Sequence, residues 1–449
     1  MATAQETSRI LRKLLGSGMN ARAERLLARM RPADRGPVLS GLTPGEIRIA
    51  LDLLYEKRRA ASTLRELPPE LLPEIFAALD DARLSQILAR LELDDMVELA
   101  ERLPLDRRAA VLEGLPAGAR AELQKAERYP ADSAGRAMTT SFIALHEDLP
   151  ADQAIEKLRA AGDDETILYL YVVDEKSRLR GVAPIRRLVA APPERRCGEL
   201  MLGDPVAVRA DSDQEEVAQL VARYNLLAVP VIDEEDRILG VITVDDVIEV
   251  INEEATEDMY HLAGLAGEDR VFSPARHAVR KRLPWMLLNL GAAFSAAWVI
   301  GLFEPTLEKL IALAFFMPVV AGMGGNGGIQ SLTVVTRAIA LGELEFSSAL
   351  RAIGKELSVA LAIGAVTGAA SGLLAWLWQG SAALGLALAL TMLATLAVAG
   401  ALGAAIPLTL KALKQDPAVG SGVFVTTLTD IFGFAVFLGI ASALIERLT

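Results

Sequence analysis

The chain has 449 residues, of which 52% are hydrophobic and 23% are charged, and its formal net charge is −12. A purely membrane-buried chain could not accommodate so many charges, and the acidic balance argues against a nucleic-acid partner. The single cysteine, Cys197, excludes an internal disulfide, and the three scattered histidines lack zinc-ligand spacing.

Residues 1–132 are predicted to form an all-α domain. Apolar residues recur at helical spacing, as in Leu84, Ile87, Leu88 and Leu91. Leu-Pro steps interrupt the pattern repeatedly, because proline clashes with a helix that runs through it. We expect a superhelical stack of short helices, although the repeat is too irregular to assign a period. The first thirty residues carry no signal-peptide core, so this domain is expected in the cytoplasm.

Residues 133–251 contain two copies of a strand and helix unit. The first runs from an apolar strand at 167–173 through a charged turn at 174–178 to Gly181-Val182. The second repeats this pattern from Ala228 to Val247. Apolar strand, acidic turn and Gly-Val before a helix resemble a tandem pair of CBS domains, which implies an α/β ligand-sensing module.

The CBS resemblance implies one nucleotide site. In that family a Thr or Ser and an Asp three positions later can hold a ribose, and Thr243 with Asp246 match this pattern. The first copy has Pro184 and Arg187 instead. ATP is therefore a candidate ligand, and the alternative is that Thr243 caps a helix with Asp246 in its first turn.

Residues 252–283 are predicted to form an acidic connecting helix, similar to a plug. Asp245, Glu249, Glu253 and Glu257 recur at i, i+4. Like charges at this spacing repel by roughly 0.2–0.5 kcal/mol per pair, a cost that divalent cations would remove. Without a family resemblance, the pattern favours a solvated helix face over a cation-binding one.

Residues 284–449 are predicted to form a transmembrane domain with five spans, at 284–303, 310–340, 357–378, 384–410 and 419–445. With the N-terminal domains inside, basic residues concentrate on the inner loops: Arg276, Arg280, Lys281, Arg282, Arg337, Arg351, Lys355, Lys411 and Lys414. The outer segments hold only Lys309 and Arg447. The positive-inside rule therefore predicts a multi-pass protein of the plasma (inner) membrane with its C-terminus outside.

The second predicted span contains a glycine-rich run from Gly322 to Gly328. Its GxGxxG pattern does not indicate a dinucleotide site, because no βαβ unit surrounds it. Tight helix packing is one interpretation. The other is that exposed carbonyls, Asn326 and Gln330 line a water-filled path, since irregular or glycine-rich backbone is tolerated at membrane depth only there.

Asp430 is the only charged residue between Val419 and Ile445. A carboxylate at the bilayer centre costs roughly 2.5–3.5 kcal/mol on insertion scales, so a pore, a cation or a partner must compensate it. Ion passage is the default hypothesis, and the alternative is a hydrogen bond to Thr426 or Thr427.

Three motifs together resemble the MgtE family of magnesium channels or transporters: Pro318 to Ser331, Asp416-Pro417-Ala418 and Thr426 to Asp430. The resemblance covers essentially the whole chain. It implies a homodimer in the lipid bilayer whose pore carries Mg²⁺ past Asp430, with Gly325, Asn326, Gly328, Gln330 and Thr426 as further pore residues.

The same resemblance implies gating, in which intracellular Mg²⁺ bridges acidic side chains and holds the pore shut. The candidate ligands are Asp94, Asp95, Asp213, Glu215, Glu216, Asp246, Glu249, Glu253, Glu257, Asp258 and Asp416. Asp416 is the best placed, on the inner loop before the last span. A single Asp per chain does not separate Mg²⁺ from Mn²⁺, Co²⁺ or Ni²⁺.

The alternative function is a membrane-anchored CBS sensor of nucleotides or ions without transport activity. That reading leaves Asp430 and the glycine run unexplained. An enzyme is not expected, because the sequence shows no nucleophile and base pair, no phosphate loop and no metal triad.

Overall fold

The computed structural model describes residues 4–55, 59–161, 169–265, 275–344 and 346–444. The chain divides into two compact units, Met1–Val250 and Ile251–Thr449. The first unit holds short helices followed by two small sheets, and the second holds the long apolar helices. The predicted order of an all-α region, an α/β region and a helical membrane region is therefore confirmed.

Short helices with a common leucine-rich core make up the N-terminal region. Helices that begin at residues 81, 93, 105 and 117 reveal a 12-residue interval that the sequence did not disclose. Leu79, Leu103 and Leu115 are each buried two residues before one of these helices begins. The helices are α1 (Ala4–Gly16), α2 (Asn20–Ala28), α3 (Pro32–Leu39), α4 (Pro44–Tyr55), α5 (Ala60–Arg65), α6 (Leu72–Ala78), α7 (Asp81–Leu88), α8 (Leu93–Glu101), α9 (Leu105–Glu113) and α10 (Ala117–Ala126).

Two sheets with matching topology follow. Their elements are α11 (Ala134–Ala137), β1 (Ile143–His146), α12 (Ala151–Ala161), β2 (Leu170–Val173), β3 (Leu179–Ala183), α13 (Ile185–Ala190), α14 (Cys197–Leu200), β4 (Leu202–Gly203), β5 (Val208–Arg209), α15 (Gln214–Tyr224), β6 (Ala228–Ile232) and β7 (Ile238–Thr243). The strand orders are β1-β2-β3-β4 and β5-β6-β7. In each sheet the first pair is parallel and the second antiparallel, so the predicted two copies are present. Ile167 and Leu168 of the predicted first strand lie outside the described residues.

Equivalent turns join the two copies. The Asp174 carboxylate accepts backbone N–H groups two and four residues later, both at 2.9 Å. Asp233 does the same at 3.0 and 2.8 Å. The Leu179 N–H then donates to the Asp236 carbonyl at 2.9 Å, which connects one turn to the other. The charged turns that marked the two copies in the sequence therefore contact each other.

The long helices are α16 (Val244–Leu262), α17 (Ala275–Gly301), α19 (Leu313–Ala340), α20 (Ala349–Gln379), α21 (Ala382–Ala412) and α22 (Ser421–Ala443), with a short α18 (Glu304–Lys309) and a 3₁₀ turn (Phe346–Ser348). Within the described ranges, four stretches are long and apolar enough to cross a membrane: Ala278–Gly301, α20, α21 and α22. The second predicted span forms α19 but is not among them, because its glycines, Asn326 and Gln330 lower its mean hydropathy. Ile445, the predicted end of the last span, lies outside the described residues.

Glycines bring the membrane helices into backbone contact. A Cβ at Gly368 of α20 would lie 2.7 Å from the Ala389 carbonyl oxygen of α21. A Cβ at Gly372 would lie 2.6 Å from the Gly385 carbonyl oxygen. Small residues at such crossings let two helix backbones approach closely, which is how apolar helices associate where no hydrophobic driving force exists.

Candidate functional site

Asp430 lies in the middle of α22, which carries no other charged residue. Its side chain is half-buried, and no hydrogen bond or ion pair joins it to any residue that the structure describes. Thr426 and Thr427, the partners that the sequence offered, donate instead to backbone carbonyls one turn earlier in α22, at 2.9 and 2.6 Å. A carboxylate in an apolar helix without a protein partner is available to a cation.

A second carboxylate, Glu356, lies inside a membrane helix and was not singled out from the sequence. The predicted span began at residue 357, whereas α20 begins at Ala349 and includes Glu356 in its third turn. The Glu356 carboxylate is buried and accepts a hydrogen bond from Lys355 Nζ at 2.6 Å. Glu356 is therefore compensated within the protein, whereas Asp430 is not.

One face of the glycine run packs tightly against α21 and α22. A Cβ at Gly324 would lie 2.8 Å from Thr395 Cγ2 and 3.5 Å from Thr429 Cβ. A Cβ at Gly328 would overlap Val425 of α22. This face matches the tight-packing interpretation, and it includes Gly328, one of the predicted pore residues.

The other face of α19 is open. Asn326 and Gln330 are exposed, and Gly322 has no atom within 4 Å of a built Cβ. A Cβ at Gly325 would lie 3.6 Å from Thr426 Cγ2, so these two predicted pore residues are neighbours. The helix runs through the glycines without a break, and the water-filled path lined by exposed carbonyls, Asn326 and Gln330 stays a prediction.

A partly buried acidic cluster lies in the first unit, where α8 faces the start of α16. Asp94 and Asp95 stand in the first turn of α8, and Arg65 Nε lies 3.2 Å from Asp95 Oδ1. Asp246 is close enough to both aspartates to influence their ionisation. Asp94 Oδ1 is buried without a hydrogen-bond partner in the described structure.

The cluster holds more negative charge than its one arginine compensates. Burial, followed by the charges of Asp95 and Asp246, raises the pKa of Asp94 to about 8. Burial also raises the pKa of Asp95 to about 7, against the opposing effect of Arg65. The pKa of Asp246 is raised by burial as well. Such carboxylates need either protons or a bound cation, so this cluster is a candidate cation site.

Thr243 and Asp246 form a helix cap. The Thr243 hydroxyl donates to Asp246 Oδ2 at 2.5 Å, and the Thr243 N–H approaches the same oxygen at 3.4 Å. Thr243 precedes α16, and its side chain is buried. The capping alternative is therefore realised in the structure, and the ribose role stays a prediction. In the first copy, Pro184 occupies the corresponding position before α13.

The remaining predicted acidic ligands lie on helix surfaces. Asp213 caps α15 by accepting the Glu215 N–H at 2.8 Å, and Glu216 is exposed in the same turn. Glu249 and Glu253 are exposed on α16. Across the described ranges, no group of three or more His, Cys, Asp or Glu side chains has the geometry to hold a metal ion. The acidic neighbours described above are therefore not a formed coordination shell.

A second group of charged side chains lies where the end of α16 approaches the loop before α22. His261 Nδ1 lies 2.8 Å from Asp416 Oδ2, and His261 Nε2 lies 3.5 Å from Glu257 Oε1. Burial and the charge of Asp416 raise the pKa of Asp258 to about 6. His261 is not among the site residues predicted from the sequence, although its place four residues after Glu257 was a usable signal.

These features define a membrane protein with a CBS pair, an acidic cluster in its first unit and an uncompensated carboxylate, Asp430, in a membrane helix. That combination is typical of a regulated cation transporter. Family models agree: "Divalent cation transporter" (MgtE) matches residues 317–440, "MgtE intracellular N domain" matches 30–132, and "CBS domain" matches 134–194 and 197–253. The chain belongs to the MgtE family.

Relatives and solved structures support this assignment. The magnesium transporter MgtE of Bacillus subtilis is 39% identical over 328 residues, which is 73% of this chain and 72% of that protein. The one from Thermus thermophilus is 39% identical over 332 residues and 73% of each chain. The cytosolic domain of the Mg²⁺ channel MgtE in complex with ATP is 37% identical, with a TM-score of 0.51 over 54% of this chain and 99% of that one. The soluble part of a magnesium transporter is 27% identical, with a TM-score of 0.53 over 56% of this chain and 100% of that one.

Proposed function

We propose that this protein carries Mg²⁺ across the membrane past Asp430. The observation that carries the proposal is the half-buried Asp430 carboxylate, which has no partner among the described residues of an otherwise apolar helix. The relatives named above are magnesium transporters, and they match the chain over most of its length. Asn326, Gln330, Gly325 and Thr426 lie on or beside the open side of α19 and are proposed to line the same path.

The transporting form is proposed to be a homodimer in the lipid bilayer, with one Asp430 from each protomer beside the path. Mg²⁺ requires octahedral oxygen at about 2.0–2.1 Å and sheds water reluctantly, so one or two carboxylates usually hold it through retained waters. Two Asp430 side chains would match the charge of the ion without stripping its water. Selectivity against Mn²⁺, Co²⁺ and Ni²⁺ would need further contacts.

Five helices are proposed to span the membrane: the four long apolar stretches and, in addition, α19. Its low hydropathy suits a helix that packs against α21 and α22 on one side and faces water on the other. The N-terminal domains are proposed to lie in the cytoplasm and the C-terminus outside, because basic residues concentrate at the inner ends of the spans. The division of the chain at residues 132, 251 and 283 remains a prediction.

Intracellular Mg²⁺ is proposed to hold the pore shut by binding acidic residues. The pair Asp94 and Asp95, with Asp246, is the best supported site, because Arg65 compensates only part of its negative charge. An ion that binds the closed form better stabilises it by that difference in affinity. The other proposed contributors are Asp213, Glu215, Glu216, Glu249, Glu253, Glu257, Asp258 and Asp416.

ATP is proposed as a second regulatory ligand at the CBS pair. A similar cytosolic domain was solved in complex with ATP, and Thr243 with Asp246 supplies the ribose-binding pattern. Because Asp246 also belongs to the acidic cluster, bound nucleotide and bound cation would draw on the same carboxylate.

The test of transport is Mg²⁺ flux into liposomes that contain the full chain. Asp430→Asn keeps the side-chain shape and removes the charge, so flux should fall to background. Glu308→Gln, which removes an exposed carboxylate from α18, is the matched control and should transport normally. Normal flux through Asp430→Asn would favour the alternative, a membrane-anchored CBS sensor whose helices only anchor it.

A further inference from the structure

The end of α16 is held against the segment that precedes α22 by an imidazole. His261 Nδ1 lies 2.8 Å from Asp416 Oδ2, on the loop between α21 and α22. His261 Nε2 lies 3.5 Å from Glu257 Oε1, one turn earlier on α16. Only 13% of the histidine side chain is exposed. The ring is therefore fixed between two carboxylates and is not free in solvent.

Backbone packing joins the same two segments. A Cβ at Gly422, in the first turn of α22, would lie 2.7 Å from the Leu262 carbonyl oxygen. A Cβ at Gly264 would lie 3.5 Å from Val423 Cγ2. Asp430 lies two helical turns beyond Gly422, about 12 Å along α22 at 1.5 Å per residue. A restraint at the start of α22 therefore acts on the helix that carries Asp430.

We propose that His261 is a metal-independent tether that holds Asp416, and with it the start of α22, to the end of α16. An imidazole N–H donates to a carboxylate without any metal ion, whereas two ionised carboxylates repel each other unless a proton or a cation lies between them. The tether therefore persists when no divalent cation is bound. Its effect on flux rests on the proposed function, but its existence does not.

Two amide variants separate the two contacts of the ring. In His261→Asn the amide stands near the position of Nδ1, so the bond to Asp416 is kept and the reach to Glu257 is lost. In His261→Gln the amide stands near the position of Nε2, so the contact with Glu257 is kept and the bond to Asp416 is lost. The measurement is hydrogen–deuterium exchange of the last turn of α16, in the full chain reconstituted in lipid, in EDTA.

We expect exchange about two- to tenfold faster in His261→Gln, the range that loss of one hydrogen bond gives, and close to the wild-type rate in His261→Asn. A wild-type rate in His261→Gln would overturn the tether. Equal acceleration in both variants would overturn it too, because it would assign the effect to ring packing and not to the bond with Asp416.

Flux supplies the functional readout. Because the tether restrains α22, His261→Gln should need a Mg²⁺ concentration about two- to tenfold higher for half-inhibition of flux, and His261→Asn should not. An unchanged half-inhibition in a His261→Gln chain that transports would overturn the tether's role in gating. If the exchange result holds but Asp430→Asn transports normally, the transport proposal fails while the tether stands.

Discussion

Replacing Asp94 by asparagine should stabilise α8 at neutral pH when no divalent cation is present. The wild-type carboxyl is buried beside Asp95 and Asp246, and one of its oxygens lacks a partner in the described structure. Asparagine keeps the size and removes the ionisation. The variant should therefore lose the cost of keeping this carboxyl protonated in the folded chain at a pH where the unfolded chain ionises it.

The magnitude follows from the raised pKa. An acid whose pKa is higher in the folded chain binds its proton more tightly there, so its stabilising effect is present at low pH. That effect is lost as the pH rises from the ordinary value of 3.8 toward the folded pKa of about 8. The slope is about 1.4 kcal/mol per pH unit. Asp94 alone should therefore lower the opening free energy of α8 by about 3 kcal/mol between pH 5 and 7. Asp95, with a pKa of about 7, adds to the loss over the same window.

Hydrogen exchange of the α8 amides in EDTA, corrected for the pH dependence of intrinsic exchange, measures the opening free energy. The wild-type value should fall from pH 5 to 7, and Asp94→Asn should show a shallower fall. Asp106→Asn is the matched control, because Asp106 occupies the same position in α9, the next helix of the 12-residue series, and is exposed. Millimolar Mg²⁺ should flatten the wild-type profile by supplying the missing positive charge.

Two results would refute this reasoning. The same pH slope in Asp94→Asn and in the wild type would mean that burial does not penalise the Asp94 charge. A wild-type profile that Mg²⁺ leaves unchanged would mean that the cluster does not bind the ion.

The membrane packing and the helix cap give further predictions. Gly324→Ala should destabilise the second unit, Ile251–Thr449, by about 1–3 kcal/mol, because its Cβ would lie 2.8 Å from Thr395 Cγ2. Gly322→Ala faces open space and should leave the stability unchanged. Thermal unfolding followed by tryptophan fluorescence measures this, since all four tryptophans lie in that unit, and equal melting temperatures would contradict it. Thr243→Val should cost about 1 kcal/mol in the exchange of the first turn of α16, because Asp246 loses its hydroxyl donor. ATP titration of the same variant tests the ribose role, which unchanged affinity would exclude.

Local signals in the sequence predicted the parts of the fold that depend on local chemistry. The turns at Asp174 and Asp233 could be recognised because an aspartate that bonds the next backbone N–H groups requires only its own neighbours. The continuity of helix α19 could not be predicted in this way. Five glycines each weaken a helix by roughly 1 kcal/mol relative to alanine, and only packing against α21 and α22 reverses that expectation.

Apart from the family resemblance, local patterns in the sequence did not predict contacts between distant residues. Asp94 and Asp246 are 152 positions apart in the numbering, and His261 and Asp416 are 155 apart. Each of these residues has an ordinary local role as well, in a helix first turn, a helix last turn or a loop. Their local patterns are therefore satisfied without the long-range partner, and nothing in them indicates that a partner exists.

Asp430 can be recognised as a candidate site residue from the sequence, whereas Asp94 cannot. In both cases the reason is what surrounds the carboxylate. Asp430 is conspicuous because every neighbour along α22 is uncharged and the bilayer core contains no water to solvate a charge. Asp94 stands in the first turn of α8, where acidic residues are favoured by the helix dipole, and Asp106 stands at the same place in α9. Only tertiary packing makes one of them buried and the other exposed. A regulatory acid in a soluble helix can therefore be told from a helix-start acid only by what lies against it, whereas a lone membrane acid is marked by its own segment.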